Sequence, residues 1–220
     1  MIKTLTSIIF LIATTSLSEQ IHLENFSIDQ TEVTVDSFAK YAESNGIFTQ
    51  AEREGGGFEW AVGWERRAGW TYRSPQGLPA KANEPAVHIT WAEANAFCAK
   101  SGGRLPTKKE WVSAAYTEQR EGSILEFEKG KTYQYPVGNS PEGMNYDSSH
   151  HLPVKVTKQG VNGLYDMGAN VWEWLADRQG NQALTAGGSW WYGPSKTKID
   201  GLQWKPVDFF AVYIGFRCVY

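Results

Sequence analysis

Two carboxylates, Asp166 and Glu173, stand in the segment Gly160-Val-Asn-Gly-Leu-Tyr-Asp-Met-Gly-Ala-Asn-Val-Trp-Glu-Trp-Leu-Ala-Asp177, together with backbone-permissive glycines and two tryptophans, Trp172 and Trp174. A loop folding back between the two acids would set both carboxylates and several backbone carbonyls around one hard cation, and oxygen-only donors suit calcium better than zinc. The same residues admit a plainer reading, in which Trp172 and Trp174 are core anchors and Glu173 answers buried backbone donors. Elsewhere Asn145-Tyr-Asp-Ser-Ser-His-His151 gathers oxygen donors and two histidines. Adjacent histidines diverge in most backbones and no third ligand lies at useful spacing, so this segment reads as an exposed polar loop.

The elements that must position these residues are short. Phe26 to Thr34 has strand-type residues, and Val35 to Asn45 carries Phe38, Tyr41 and Ala42 at helical spacing before Gly46. Thr90 with Glu93 three residues on, and Thr107 with Glu110, each form the capping-box pattern of a helix start. Trp91 and Trp111 are expected to be buried on those helices, and His88 to be a hydrogen-bonded structural histidine within a strand. Glu52 to Gln76 shows neither period and reads as a loop, and Thr117 to Lys131 as an exposed connection.

With 220 residues, 41% hydrophobic, the chain can bury one core, and its length suggests one domain. Ten each of Trp, Tyr and Phe beside 22 Gly describe a loop-rich α+β domain held by aromatic anchors between turns rather than by long helices. A net charge of −3 without a dense Lys/Arg run lacks the electrostatic footprint of a nucleic-acid binder.

Met1 to Ser18 has the charged, apolar and small-residue parts of a signal peptide, with cleavage expected after Ser18 and a single domain over 19–220. Its apolar core is too short to span a membrane. The expected destination is outside the cytoplasm, periplasmic or secreted, with no integral membrane segment after cleavage. In an oxidising compartment the chain's two cysteines, Cys98 and Cys218, are expected to be bridged rather than free.

The Gly-Leu-Tyr-Asp-Met-x-x-Asn-Val-Trp-Glu-Trp segment resembles a signature of the formylglycine-generating enzyme, or sulfatase-modifying factor, family. Other blocks match in the same order: Thr31-Glu-Val-Thr34, Pro85-Ala-Val-His-Ile-Thr-Trp91, Gly103-Arg-Leu-Pro-Thr107, Gly187-Gly-Ser-Trp190 and Gly215-Phe-Arg-Cys218. The resemblance implies a C-type-lectin-like fold with little regular secondary structure. It also implies a Cys98–Cys218 disulfide, and one structural calcium bound by the side chains of Asp166 and Glu173 with the carbonyls of Ala169 and Val171.

The resemblance stops at the chemistry. Formylglycine-generating enzymes hold copper on two cysteine thiolates lying between Gly-Gly-Ser and Gly-Phe-Arg. Here Ser189 keeps the family's serine, but the two cysteine positions fall on Tyr192 and Thr197, so no copper centre is expected. The expectation is an exported domain acting as a non-catalytic accessory or binding module. Its ligand surface would be formed by Ser189, Trp190, Trp191, Tyr192, Thr197 and Trp204, and would receive a protein or small molecule. At least half of the aromatics between residues 190 and 213 are expected to be buried. The alternative is a metal-dependent oxidative maturation enzyme of the same superfamily, acting on a protein or a siderophore.

Overall fold

The computed structural model describes residues 19–124 and 126–220; the expected signal segment, 1–18, lies outside the described residues. Along the chain run β1 (Gln20–His22), β2 (Ser27–Asp29), α1 (Val35–Asn45), α2 (Gln50–Arg53), β3 (Gly56–Trp60), β4 (Trp64–Ala68), α3 (Trp91–Lys100), α4 (Lys108–Tyr116), β5 (Ser123–Ile124), β6 (Phe127–Glu128), β7 (Trp172–Gln179), β8 (Gln182–Ala186), β9 (Gln203–Pro206) and β10 (Ile214–Gly215). The long irregular stretches between them make this an α+β domain of low regular content.

The helices start where side chains can satisfy their first backbone donors. Thr90 accepts from the Glu93 N–H while the Glu93 carboxylate accepts from the Thr90 N–H, and Thr107 with Glu110 repeats the arrangement for α4. α1 is stopped by Gly46, whose left-handed backbone (φ 62°) returns its N–H to the carbonyls of Ala42 and Glu43. The buried residues of α1, Val35, Phe38 and Ala42, share one face of the helix.

The main sheet has the order β10-β7-β8-β9, with β7 and β8 antiparallel and β10 parallel to β7 through Ile214↔Trp172 and Gly215↔Glu173. Alternation along β7 sends successive side chains to opposite sides of the sheet. Trp172 and Trp174 enter a core with Phe38, Phe97 and Phe216, whereas Leu175 enters a second core with Ile28, Trp111 and Tyr116. The C-terminus is woven into the start of the domain: Val219 bridges both Ile28 and Arg104.

Several local expectations are corrected. Residues 52–76 are not a plain loop, because β3 and β4 form a hairpin whose tip carries the cross-strand pair Trp60↔Trp64, with edge-to-face rings 5.2 Å apart. Trp91 is half-buried rather than buried, and its indole donates to the Leu175 carbonyl. His88 is buried and its Nε2 donates to the Pro75 carbonyl, but its backbone is left-handed (φ 58°) and not in a strand. Glu118 and Phe127 are buried within the segment expected to be an exposed connection. Asn145 and His151 are likewise buried: Asn145 donates to Asn170 Oδ1, and His151 Nε2 lies 3.5 Å from the Glu84 carboxylate.

Candidate functional site

Because Glu173 sits between Trp172 and Trp174 on β7, it faces the opposite side of the sheet, toward α4. Its Oε2 accepts from Trp111 Nε1 at 2.7 Å and from Arg217 Nε at 2.8 Å, and its Oε1 accepts from Arg217 Nη2 at 2.7 Å. Arg217 donates further to the carbonyls of Asp29 and Tyr165, at 3.1 and 2.8 Å. Both side chains are fully buried, and the two-pronged geometry suits guanidinium and carboxylate. Glu173 therefore answers an indole and a guanidinium rather than backbone N–H groups, while Trp172 and Trp174 are core anchors.

The loop before β7 turns on left-handed backbone at Asp166 (φ 58°), Ala169 (φ 63°) and Asn170 (φ 50°). Asp and Asn accept that region with little strain; for Ala169 it costs about 1 kcal/mol. Asn170 organises the loop. Its Nδ2 donates to Glu32 Oε1 and the Leu152 carbonyl, and its Oδ1 accepts from Asn145 Nδ2 and the Leu152 N–H. Asp166 accepts from the Thr157 hydroxyl at 2.5 Å and from the Lys155 N–H at 3.2 Å.

The expected calcium set, Asp166, Ala169, Val171 and Glu173, lies on this buried loop and the start of β7. Three buried carboxylates, Glu32, Asp166 and Glu173, interact with the single guanidinium of Arg217. Burial first, then the Asp166 charge, holds Glu32 well above the ordinary carboxylate range; burial also raises Asp166. Glu32 Oε2 has no hydrogen-bond partner among the described residues. Buried oxygen donors of this kind are those a hard divalent cation takes, with Glu173 able to serve it only alongside Arg217 and Trp111. Among the described residues no three His, Cys, Asp or Glu side chains form a metal-ligand group; the calcium expectation uses two side chains and two carbonyls.

A copper dithiolate does not fit. The chain's cysteines, Cys98 on α3 and Cys218, are joined to one another with Cα atoms 5.5 Å apart, so neither is a thiolate. Tyr192 and Thr197 stand at the positions where the resemblance would require sulfur. Thr197 is fully buried, its hydroxyl donating to the Pro194 carbonyl, and Tyr192 is half-buried.

The expected ligand surface is only partly a surface. Trp191 and Trp204 are exposed, but Ser189, Trp190 and Thr197 are buried. Of the aromatics from Trp190 to Tyr213, Trp190, Phe210 and Tyr213 are buried and Tyr192 and Phe209 half-buried, short of the expected half fully buried. The rings form a contiguous cluster: Trp172–Tyr192 at 5.6 Å, Tyr192–Tyr213 at 6.3 Å and Tyr213–Trp190 at 6.1 Å. The β3–β4 hairpin joins it through Trp64, 5.7 Å from Tyr213 and 4.6 Å from Phe209. Lys205, buried on β9, brings its ammonium 4.4 Å from the centre of the Trp172 ring. Neighbouring Trp204 alternates to the other side of β9 and stands outside the cluster.

From the sequence alone Glu32, Asn170, Lys205 and Arg217 carry no assigned role, whereas Tyr213 stands among the aromatics of residues 190–213 expected at the ligand face. The one available signal was Arg217 itself, a charge in the otherwise apolar Ile214-Gly-Phe-Arg-Cys-Val219, where burial demands a buried partner.

The chain matches the sulfatase-modifying factor enzyme 1-like domain over residues 13–220. It is 31% identical over 194 residues to the formylglycine-generating enzyme of Streptomyces coelicolor, covering 71% of this chain and 59% of that protein, so it spans less than two thirds of that relative's length. It is 27% identical over 240 residues to the mouse protein named inactive Cα-formylglycine-generating enzyme 2, covering 91% of this chain and 77% of that one. The solved structure of PvdO from Pseudomonas aeruginosa superposes with a TM-score of 0.61 at 19% identity, over 88% of this chain and 79% of that one, a likeness of fold. With the C-type-lectin-like formylglycine-generating-enzyme architecture and a family match over most of its length, the chain belongs to the sulfatase-modifying factor enzyme 1-like domain family.

Proposed function

We propose that this chain is an exported, non-catalytic member of its family, working as an accessory or binding module whose ligand face is the aromatic region around Tyr192 and Tyr213. The observation that carries this reading is the donor set. Tyr192 and Thr197 occupy the thiolate positions, and the only cysteines are bridged to each other. A hydroxyl donor pair cannot hold copper(I), which selects soft sulfur. A relative named inactive supports the idea that the fold is kept without the oxidation chemistry.

Export is supported by the signal-like residues 1–18 and by a disulfide suited to an oxidising compartment. Among the described residues no helix is long and apolar enough to cross a membrane. Calcium at Asp166, Ala169, Val171 and Glu173 belongs to the same reading as a structural ion. When bound it supplies positive charge to a cluster in which carboxylates outnumber guanidinium groups, and it takes part in no reaction.

Metal analysis of the protein purified from its native envelope tests this. Calcium as the sole stoichiometric metal is the expected result. Copper or iron at one equivalent would replace this reading with that of an oxidative maturation enzyme.

A further inference from the structure

The ring cluster contains more buried hydrogen-bond donors than the protein itself satisfies. Trp172 Nε1, Trp190 Nε1, Tyr213 Oη and Ser189 Oγ are all buried, and none has a hydrogen-bond partner among the described residues. Indole N–H groups can only donate. Leaving one such group buried and unpaired costs about 1–3 kcal/mol, so several in one cluster is a concentration that folding alone does not favour. The buried indoles elsewhere make the contrast: Trp111 donates to Glu173 and Trp174 to the Ile89 carbonyl. What the ring cluster lacks is an acceptor.

Charge points the same way. Lys205 donates to Gln203 Oε1 at 2.9 Å, and the remaining N–H bonds of its ammonium have no hydrogen-bond acceptor among the described residues. Lys196 adds a second positive charge near it, and burial keeps the Tyr213 hydroxyl protonated and therefore able to donate. Glu59, the acid whose charge acts on Tyr213, is already paired with Arg67 of the hairpin. Among these groups no arginine is left to bind a dianionic phosphate two-pronged, so the set suits one delocalised negative charge. The half-exposed Trp64 ring and half-buried Tyr192 offer flat apolar walls beside the donors.

We propose that the cluster of Trp172, Trp190, Tyr192 and Tyr213, with the Lys205 ammonium over the Trp172 face, binds a small organic monocarboxylate carrying an aromatic or apolar body. The carboxylate oxygens accept from the indole and phenol donors and from Lys205, and the body lies against Tyr192 and Trp64. This rests on the reading of the same face as a ligand-binding one and names its ligand class.

Intrinsic tryptophan fluorescence of the purified chain, titrated with phenylacetate, indole-3-propionate and hexanoate, tests it. Phenylacetamide is the neutral control, and acetate at matched ionic strength is the control for anions without a body. Saturable binding of at least one of the three carboxylates is expected, at least tenfold tighter than phenylacetamide or acetate. Tyr213→Phe, which removes one donor without changing the packing, should weaken it at least fivefold, and Lys205→Met should do the same. No saturable signal from any carboxylate, equal binding of the amide, or unchanged affinity in a Tyr213→Phe protein with wild-type melting would overturn the proposal. The ligand recovered after incubation in air is then weighed by mass spectrometry. An unchanged mass upholds the non-catalytic reading, whereas an oxidised ligand overturns that reading and leaves the carboxylate site standing.

Discussion

Glu173 and Arg217, from strand β7 and the C-terminal segment, form a two-pronged ion pair with side chains 1% and 0% exposed, capped by the Trp111 indole. The pair joins the last residues of the chain to the middle of the sheet, and both carboxylate oxygens and the guanidinium nitrogens Nε, Nη1 and Nη2 find partners inside the protein. Removing one member leaves the other as an uncompensated buried charge, which is far worse than the modest net gain of making the pair.

Glu173→Gln is therefore expected to lower unfolding stability by about 3 kcal/mol or more in urea denaturation. The double replacement Glu173→Leu with Arg217→Met should recover part of that loss, because it removes both charges at once. A single-site loss below about 1 kcal/mol would contradict the burial of this pair.

The disulfide closes a loop separating Cys98 and Cys218 by 120 residues. A closure of this length stabilises by roughly 4 kcal/mol in the chain-entropy model. Intact-mass measurement after alkylation should find no modified cysteine before reduction and two after it, and reduction should lower the melting temperature. Free alkylation of both thiols in unreduced protein would remove the bridge from the account.

Calcium addition should raise the melting temperature and chelation should lower it, since an ion that binds only the folded chain stabilises it by mass action. Asp166→Asn should abolish the shift while keeping the Glu173–Arg217 pair. Differential scanning calorimetry with and without chelator decides this, and identical melting under both conditions would eliminate the ion.

Burial, with Lys196 nearby, lowers the Lys205 ammonium from 10.5 to about 8. Between about pH 8 and 10.5 the unfolded chain then holds a proton there that the folded chain has released, so this group makes stability rise with pH across that window. Below about pH 8 the buried charge opposes folding. Lys205→Met should accordingly be more stable than the wild type at pH 7, by about 1–3 kcal/mol, with the gap closing by pH 10. A gap that is constant with pH would mean that Lys205 keeps its proton throughout.

Local signals were legible where the interaction they encode spans a few residues. The Thr90/Glu93 and Thr107/Glu110 boxes and Gly46 mark helix ends, because cap and partner sit within one turn. The β3–β4 hairpin was not legible, since its strands are stabilised by cross-strand pairs such as Arg67–Glu59 and Trp60–Trp64 rather than by a buried face with period two. Glu118, Asn145 and His151 look like surface residues until Asn162, Asn170 and Glu84 are brought to them by the fold. The family motifs located the loop carrying Asp166 and Glu173 and the block containing Arg217, but not the pairing of Arg217 with Glu173. They located the segment from Ser189 to Trp204, but not which of its side chains are inside. Those facts depend on Arg217, Lys205 and Tyr213, which arrive from distant parts of the chain.

The proposed role keeps this fold without the oxidation chemistry of its active relatives. Its most direct test is incubation of the purified chain with a peptide carrying Cys-x-Pro-x-Arg, copper(I) and oxygen, followed by peptide mass measurement. An unchanged mass is expected. Loss of the peptide's cysteine sulfur with repeated turnover would contradict it.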